Sequence, residues 1–151
     1  MKYIFLLSVA FVLVVTACNK DKFTTIPQVE IKSISPTTVE HGSVLNLKGS
    51  FTDQEGDLDS VLIVYKWYNG ATVVRKDTFR YSFEGLQIPV KTREADLEIT
   101  FEYNTNNIPD LVPLPGVSIR DTTATLGLII KDKEANRSDY KESEQIRLKK
   151  P

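Results

Sequence analysis

The densest group of side chains that could do chemistry lies in residues 53–59. Four carboxylates occur within this stretch, at Asp53, Glu55, Asp57 and Asp59. Carboxylate oxygens are ligands that calcium prefers, and Gly56 lets the chain turn, so the stretch could wrap one hard cation. It is not an EF-hand, because its glycine comes too early and Val64 stands where the closing glutamate would be needed.

The alternative for residues 53–59 is a solvated turn. Its acids would then cap backbone amides and keep neighbouring sheet edges apart. The sequence favours this alternative. We therefore expect no resident cofactor, with calcium at the acidic loop as the minority hypothesis.

Few other residues could serve catalysis. His41 is the only histidine, so a Ser-His-Asp triad would have to use it. It precedes Gly42 in a predicted turn, which favours a surface residue. Glu98 and Glu102 fall on the polar face of one predicted strand, where we expect solvent exposure rather than a facing catalytic pair. The sequence therefore predicts a protein that is not an enzyme, and an envelope hydrolase is the least favoured hypothesis.

The N-terminus carries the chain's only cysteine, Cys18. Residues 3–15 form an apolar run behind Lys2, which suits an export signal and is short for a permanent membrane span. The four residues Val15, Thr16, Ala17 and Cys18 resemble a bacterial lipobox. The resemblance implies cleavage before Cys18 and lipidation of its sulfur. The alternative is an ordinary secretory signal that leaves a free thiol.

The length and the charge of the chain limit its domain organisation and its partners. The 151 residues predict a signal peptide at 1–17, the lipidated cysteine and a tether at 18–26, and one domain at 27–151. Lys and Arg number 19 against 20 Asp and Glu, and no basic block stands out, so we expect no nucleic-acid partner.

The sequence of the domain predicts a succession of β-strands. Period-two alternation or short apolar runs predict seven strands, around residues 29–35, 44–51, 61–68, 72–81, 97–103, 123–131 and 146–148. Asn69 and Gly70 mark a hairpin between the third and fourth strands. No segment shows a helical period over three turns. The fold class predicted is all-β, an antiparallel sandwich of about seven strands.

Two segments resemble the immunoglobulin-like and fibronectin type III-like domains of bacterial surface proteins. In residues 61–67, Trp67 takes the place of their core tryptophan. Residues 130–138 resemble their penultimate strand and turn, where Asp132, Asn136 and Ser138 would brace a hairpin. The resemblance implies an immunoglobulin-like β-sandwich without the disulfide of antibody domains, since a single cysteine cannot form one.

Two surfaces could bind a partner. The loop at residues 104–116 contains prolines and four aliphatic side chains, Ile108, Leu111, Val112 and Leu114. It could dock another protein, or fold over an open end of the sandwich and plug it. Exposed tyrosines in a row could instead stack on a glycan; the candidates are Tyr68, Tyr81, Tyr103 and Tyr140.

Together these features predict a non-catalytic, lipid-anchored module of the cell envelope. It would reach the membrane through lipidated Cys18, most simply at the outer membrane, and would bind another envelope protein. The second hypothesis is a carbohydrate-binding lipoprotein of a nutrient-uptake system.

Overall fold

The computed structural model describes residues 24–86, 88–89, 91–109, 111–116 and 119–150. The predicted signal peptide, Cys18 and most of the predicted tether lie outside the described residues. The described part contains strands and no helix. Accordingly, no helix in it is long and apolar enough to cross a membrane.

Ten strands make up the described chain. They are β1 (Gln28–Ser35), β2 (Thr38–Val39), β3 (Val44–Thr52), β4 (Leu58–Asn69), β5 (Thr72–Ser82), β6 (Glu94–Tyr103), β7 (Val112–Leu114), β8 (Thr122–Asp132), β9 (Lys141–Glu142) and β10 (Ile146–Leu148). The predicted hairpin joins β4 to β5, and its Gly70 has a positive φ of 61°. Glycine adopts this conformation without the steric cost that a side chain brings.

The strands form two sheets. The four-stranded sheet has the order β1-β3-β6-β7, and the other has the order β2-β10-β8-β4-β5, with β9 also pairing with β8. Most pairs are antiparallel, but β10 with β2 and β6 with β7 are parallel.

One hydrophobic core lies between the sheets, so the fold is a β-sandwich. Along β4, alternate side chains are almost inaccessible to solvent, as the period-two pattern predicts: Val61, Ile63, Tyr65 and Trp67. The opposite sheet supplies a matching set from β3 and β6: Leu45, Leu47, Phe51, Leu97 and Phe101.

The prediction of about seven antiparallel strands needs correction. All seven predicted strands are present, but β2, β7 and β9 are additional, each only two or three residues long. β2 and β9 have two residues each, too few to show alternation, and the prolines in and around β7 indicate a loop. Two of them, β2 and β7, make the parallel pairs.

Candidate functional site

The acidic loop begins with a buried carboxylate. Asp53 follows β3 directly and is 0% exposed. Its Oδ2 accepts hydrogen bonds from the amides of Gly56, at 2.7 Å, and Asp57, at 3.2 Å. Its Oδ1 is buried and has no hydrogen-bond partner in the described part of the chain. The loop therefore folds around a carboxylate that is only half satisfied.

Gly56 makes this tight turn possible. Its φ is +68°, and a Cβ at this position would lie 2.7 Å from the carbonyl carbon of Lys91. The amide of Lys91 also donates a hydrogen bond to the Gly56 carbonyl oxygen at 3.0 Å. Both the conformation and the close approach of the two backbones require glycine here.

A third aspartate reaches the loop from β8. Leu58, the first residue of β4, pairs with Asp132, the last residue of β8. The amide of Lys133 then donates to the carbonyl oxygen of Asp57 at 3.0 Å. As a result, one carboxylate oxygen from each of Asp53, Asp57 and Asp132 lies within 4.8 Å of the other two. We call these three residues the aspartate cluster.

The turn after β8 fixes the Asp132 side chain. Its Oδ1 accepts from the Asn136 amide and its Oδ2 from Asn136 Nδ2, each at 2.8 Å. Ser138 Oγ accepts from the Ile130 amide at 2.9 Å. The predicted bracing of this hairpin by Asp132, Asn136 and Ser138 is thus present. From the sequence we predicted only this bracing role for Asp132, and not that it would lie beside the acidic loop.

The other two acids of the loop point elsewhere. Asp59 Oδ2 accepts from Ser60 Oγ at 2.9 Å and from Arg80 Nη2 at 2.7 Å. These bonds, that from Ser60 first, lower the pKa of Asp59. Glu55 is exposed. Of the four acids predicted together, the structure therefore brings only Asp53 and Asp57 into one cluster.

Electrostatics set the aspartate cluster apart from the other acids. Burial raises the pKa of Asp53, and the negative charges of Asp57 and Glu55 add to this, against the two amide hydrogen bonds. The ion pairs between described residues involve Asp59, Asp77, Asp96, Asp121, Glu98 and Glu142. None involves a member of the aspartate cluster, so no described lysine or arginine lies within ion-pair distance of these three carboxylates.

The loop at residues 104–116 is held by a carboxylate that we expected to be exposed. Glu102 is only 2% exposed, because the loop folds back over it. Its Oε2 accepts from the amides of Asn107, at 2.8 Å, and Ile108, at 2.9 Å, and Thr105 Oγ1 donates to Oε1. These bonds, that from Thr105 first, lower the pKa of Glu102. Glu98 does lie on the surface, 3.3 Å from Lys48.

The four aliphatic residues of this loop lie in three different surroundings. Leu114 is fully buried in β7 and pairs with Tyr103 at the edge of the four-stranded sheet, so this part of the loop belongs to the core. Ile108 is 40% exposed. Leu111 and Val112 are half-buried at the rim of a cleft between the sheets.

That cleft has a volume of about 370 Å³. Side chains from both sheets form its floor: Val61, Ile63 and Leu97. Its rim combines polar residues of β6 with apolar or aromatic side chains: Asp96, Glu98 and Thr100, and Tyr81, Leu86, Ile88, Ile99, Leu111 and Val112. It opens between β5 and the first half of β6, since β7 pairs only with residues 101–103 of β6. We call it the inter-sheet cleft.

The tyrosines considered for glycan stacking have different surroundings. Tyr103 is fully buried, and Tyr81 faces the inter-sheet cleft. Tyr68 donates a hydrogen bond to Glu142 at 3.0 Å, and the Tyr140 ring lies 4.4 Å from Lys66 Nζ. The described tyrosines are thus spread over core, cleft and outer surface.

His41 is exposed in the turn before Gly42, as predicted. In the part of the chain that the structure describes, it forms no hydrogen bond with a serine. Cys18 lies outside the described residues.

Comparisons with known proteins give no family. No protein-family model matches the chain, and no curated protein matches it. Among solved structures, an alkylpurine DNA glycosylase from Pseudomonas fluorescens, bound to DNA containing an abasic site analogue, is similar with a TM-score of 0.48 and 8% identity. The likeness covers 83% of this chain and 31% of the glycosylase chain.

Two further structures are also similar. The sporulation control protein Spo0M from Bacillus subtilis gives a TM-score of 0.45 at 8% identity, over 85% of this chain and 51% of that one. A CARDB domain from Pyrococcus furiosus, in complex with di-metal ions, gives a TM-score of 0.34 at 9% identity. That likeness covers 85% of this chain and 96% of the CARDB chain. The chain thus spans about a third of the length of the glycosylase and about half of the length of Spo0M. With these scores, the β-sandwich rests on the two described sheets and their shared core.

Proposed function

We propose that this protein is a non-catalytic module, anchored in the cell envelope through lipidated Cys18, that binds another envelope protein at the inter-sheet cleft. The lipobox-like sequence supports the anchor and the outer membrane as its place. The cleft supports the contact with a partner.

We also infer that the sandwich is of the immunoglobulin-like, fibronectin type III-like kind. The order β1-β3-β6 on one side and β10-β8-β4-β5 on the other supports this, because β4 and β8, the third and sixth of the seven predicted strands, lie side by side. Trp67 supports it as well. It is buried on β4, the strand that corresponds to the one bearing the core tryptophan of such domains.

The observation that carries the functional proposal is the position of the cleft between two open strand edges. No described strand pairs with the outer edge of β5 or with the first half of β6 on its cleft side. Open edges present backbone donors and acceptors that a further strand can use. The apolar floor lies between them.

An extended segment of a partner protein fits this arrangement. Added to an open edge, it would gain main-chain hydrogen bonds, while every second side chain would point toward the apolar floor. Leu111 and Leu86 would flank it, and Leu86 is 43% exposed. Specificity would come from the side chains that enter the cleft, and affinity from the strand pairing.

Quantitative co-purification from detergent-solubilised membranes tests the proposal. Leu111→Asp places a charge at the rim of the cleft, and we expect a loss of about tenfold or more in captured partner, since a buried unpaired charge is strongly unfavourable. Val74→Asp is the matched control, because Val74 is 58% exposed and lies at the hairpin end of β5.

Equal loss of partner in both variants, with both still folded, would contradict the proposal. So would unchanged capture by Leu111→Asp. Recovery of a bound lipid in place of a protein would show that the cleft holds an apolar small molecule instead.

A further inference from the structure

We propose that Asp53, Asp57 and Asp132 bind a calcium ion where the loop before β4 meets the turn after β8. This inference is independent of the function proposed for the inter-sheet cleft, which involves none of the three residues.

The first argument is the unsatisfied oxygen of Asp53. This residue is 0% exposed, and its Oδ1 has no hydrogen-bond partner in the described chain. Leaving a buried charged acceptor unpaired is costly, and native proteins rarely do so without an ion or a functional reason. A cation bound to this carboxylate would remove the cost.

The second argument is the charge of the cluster. Three carboxylates contribute oxygens that lie within 4.8 Å of one another. Like charges at this separation repel, more strongly where two of the three side chains are buried. No lysine or arginine forms an ion pair with them in the described chain. A divalent cation is the species that would offset this repulsion.

The third argument is that the fold holds the ligands in place. Two backbone amides fix Asp53, and Asn136 fixes Asp132 through both carboxylate oxygens. The hydrogen bond from the Lys133 amide to the Asp57 carbonyl joins the two segments. Ligands that are ordered before binding lower the entropic cost of capturing an ion. Asp57 is half-buried, which leaves the cluster a side open to solvent.

The ligand chemistry selects calcium. The set consists of oxygens alone, which suits hard cations and not zinc or copper. Magnesium is usually held by one or two carboxylates and keeps several of its waters, whereas calcium accepts more protein oxygens in a flexible geometry, so three carboxylates favour calcium. The three carboxylates supply between three and six oxygens, and water would complete the six to eight that calcium takes.

The test is a calcium titration of the protein purified from membranes in detergent and stripped with EDTA. We expect heat of binding with a Kd of about 10⁻³ M or tighter, the range of extracellular calcium modules. At about a hundredfold excess over Kd, the melting temperature should rise by about 5 °C or more. Sodium chloride of equal ionic strength, which acts only by screening, should give neither effect.

Variants separate the cluster from the rest of the acidic loop. Asp57→Asn should weaken binding by about tenfold or more and abolish the calcium-specific rise, because a charged ligand is lost from a half-buried position. Glu55→Gln is the matched control and should bind as wild type does, since Glu55 is exposed and outside the cluster. Melting in EDTA shows whether each variant folds.

Asp132→Asn extends the test to the segment contributed by β8 and should also weaken binding. The proposal is overturned if calcium acts no differently from sodium chloride. It is equally overturned if Glu55→Gln weakens binding as much as Asp57→Asn does.

Discussion

Trp67 shows how one residue can anchor a core that no disulfide supports. It is 6% exposed, its ring meets Tyr65 edge-on with centroids 5.2 Å apart, and the Arg75 guanidinium lies 4.7 Å from the ring centroid. Its Nε1 is buried and has no hydrogen-bond partner of normal geometry in the described chain. Burial raises the pKa of the Tyr65 hydroxyl, and the Trp67 N–H acts on it in the opposite direction. The side chain therefore contributes mainly through packing.

Replacing this side chain separates the two effects. Trp67→Ala should lower the free energy of unfolding by about 3–5 kcal/mol, through lost burial and the cavity left behind. Trp67→Phe should cost less, because it keeps an aromatic ring in the core and leaves a smaller cavity. Urea denaturation measures both, with Val74→Ala expected within about 0.5 kcal/mol of wild type. Equal losses for Trp67→Phe and Trp67→Ala would show that Nε1 does have a stabilising partner.

Among single residues, the surroundings of polar side chains were the hardest to predict from the sequence. Alternation along β6 placed Glu102 on the solvent face, but a loop that follows it folds back and buries it. Asp132 lies far from the acidic loop in sequence, and only the pairing of β4 with β8 brings it there. Both outcomes depend on long-range contacts that no local pattern encodes.

The strands were easier to predict from the sequence than the surroundings of single polar residues. Each of the seven predicted strands has apolar residues on one face or a continuous apolar run, and burial between the sheets selects for that pattern. β10 has only three residues, yet Ile146 and Leu148 alternate and both are fully buried. β2 and β9 are too short to show this pattern, and in β7 Pro113 separates the two apolar residues and favours a loop.

The C-terminal strand β10 is secured by a small charge network. Asp121 Oδ2 accepts from Lys149 Nζ at 3.0 Å and from Arg147 Nη2 at 2.9 Å, and Oδ1 accepts from the Lys150 amide at 3.2 Å. These contacts, that of Lys149 first, lower the pKa of Asp121 from 3.8 to about 2. They link the segment before β8 to β10 and the residues after it.

This network should make stability depend on pH. Because the folded-state pKa lies below the unfolded value, its contribution is present above about pH 4 and is lost as the pH falls toward 2. Asp121→Asn should therefore be less stable than wild type at pH 7, and the difference should disappear near pH 2. Denaturant midpoints across this range measure it, and added salt should reduce the difference at pH 7.

Asp139→Asn provides the control, since Asp139 is exposed and forms no ion pair with a described residue. It should track wild type at every pH. A constant difference between Asp121→Asn and wild type down to pH 2 would mean that the Asp121 carboxylate acts through something other than its charge.

At the scale of the whole molecule, the proposed lipid anchor at Cys18 would hold the β-sandwich at the membrane. Cys18→Ser should leave a precursor that keeps residues 1–17 and carries no lipid, because acylation uses the sulfur and cleavage follows it in the pathway that the lipobox resemblance implies. Metabolic labelling with a fatty-acid analogue, together with the mass of the purified protein, measures this. Equal label on the variant would exclude Cys18 as the point of attachment.

Site-specific photo-crosslinking in intact cells tests the central claim most directly. A photo-reactive amino acid in place of Leu111 would sit at the rim of the inter-sheet cleft, and the same residue in place of Val74 serves as the comparison. We predict a discrete protein adduct at Leu111 that is absent at Val74 and reduced when Cys18→Ser removes the anchor. No protein adduct at Leu111, or equal adducts at both positions, would contradict a partner bound at the cleft.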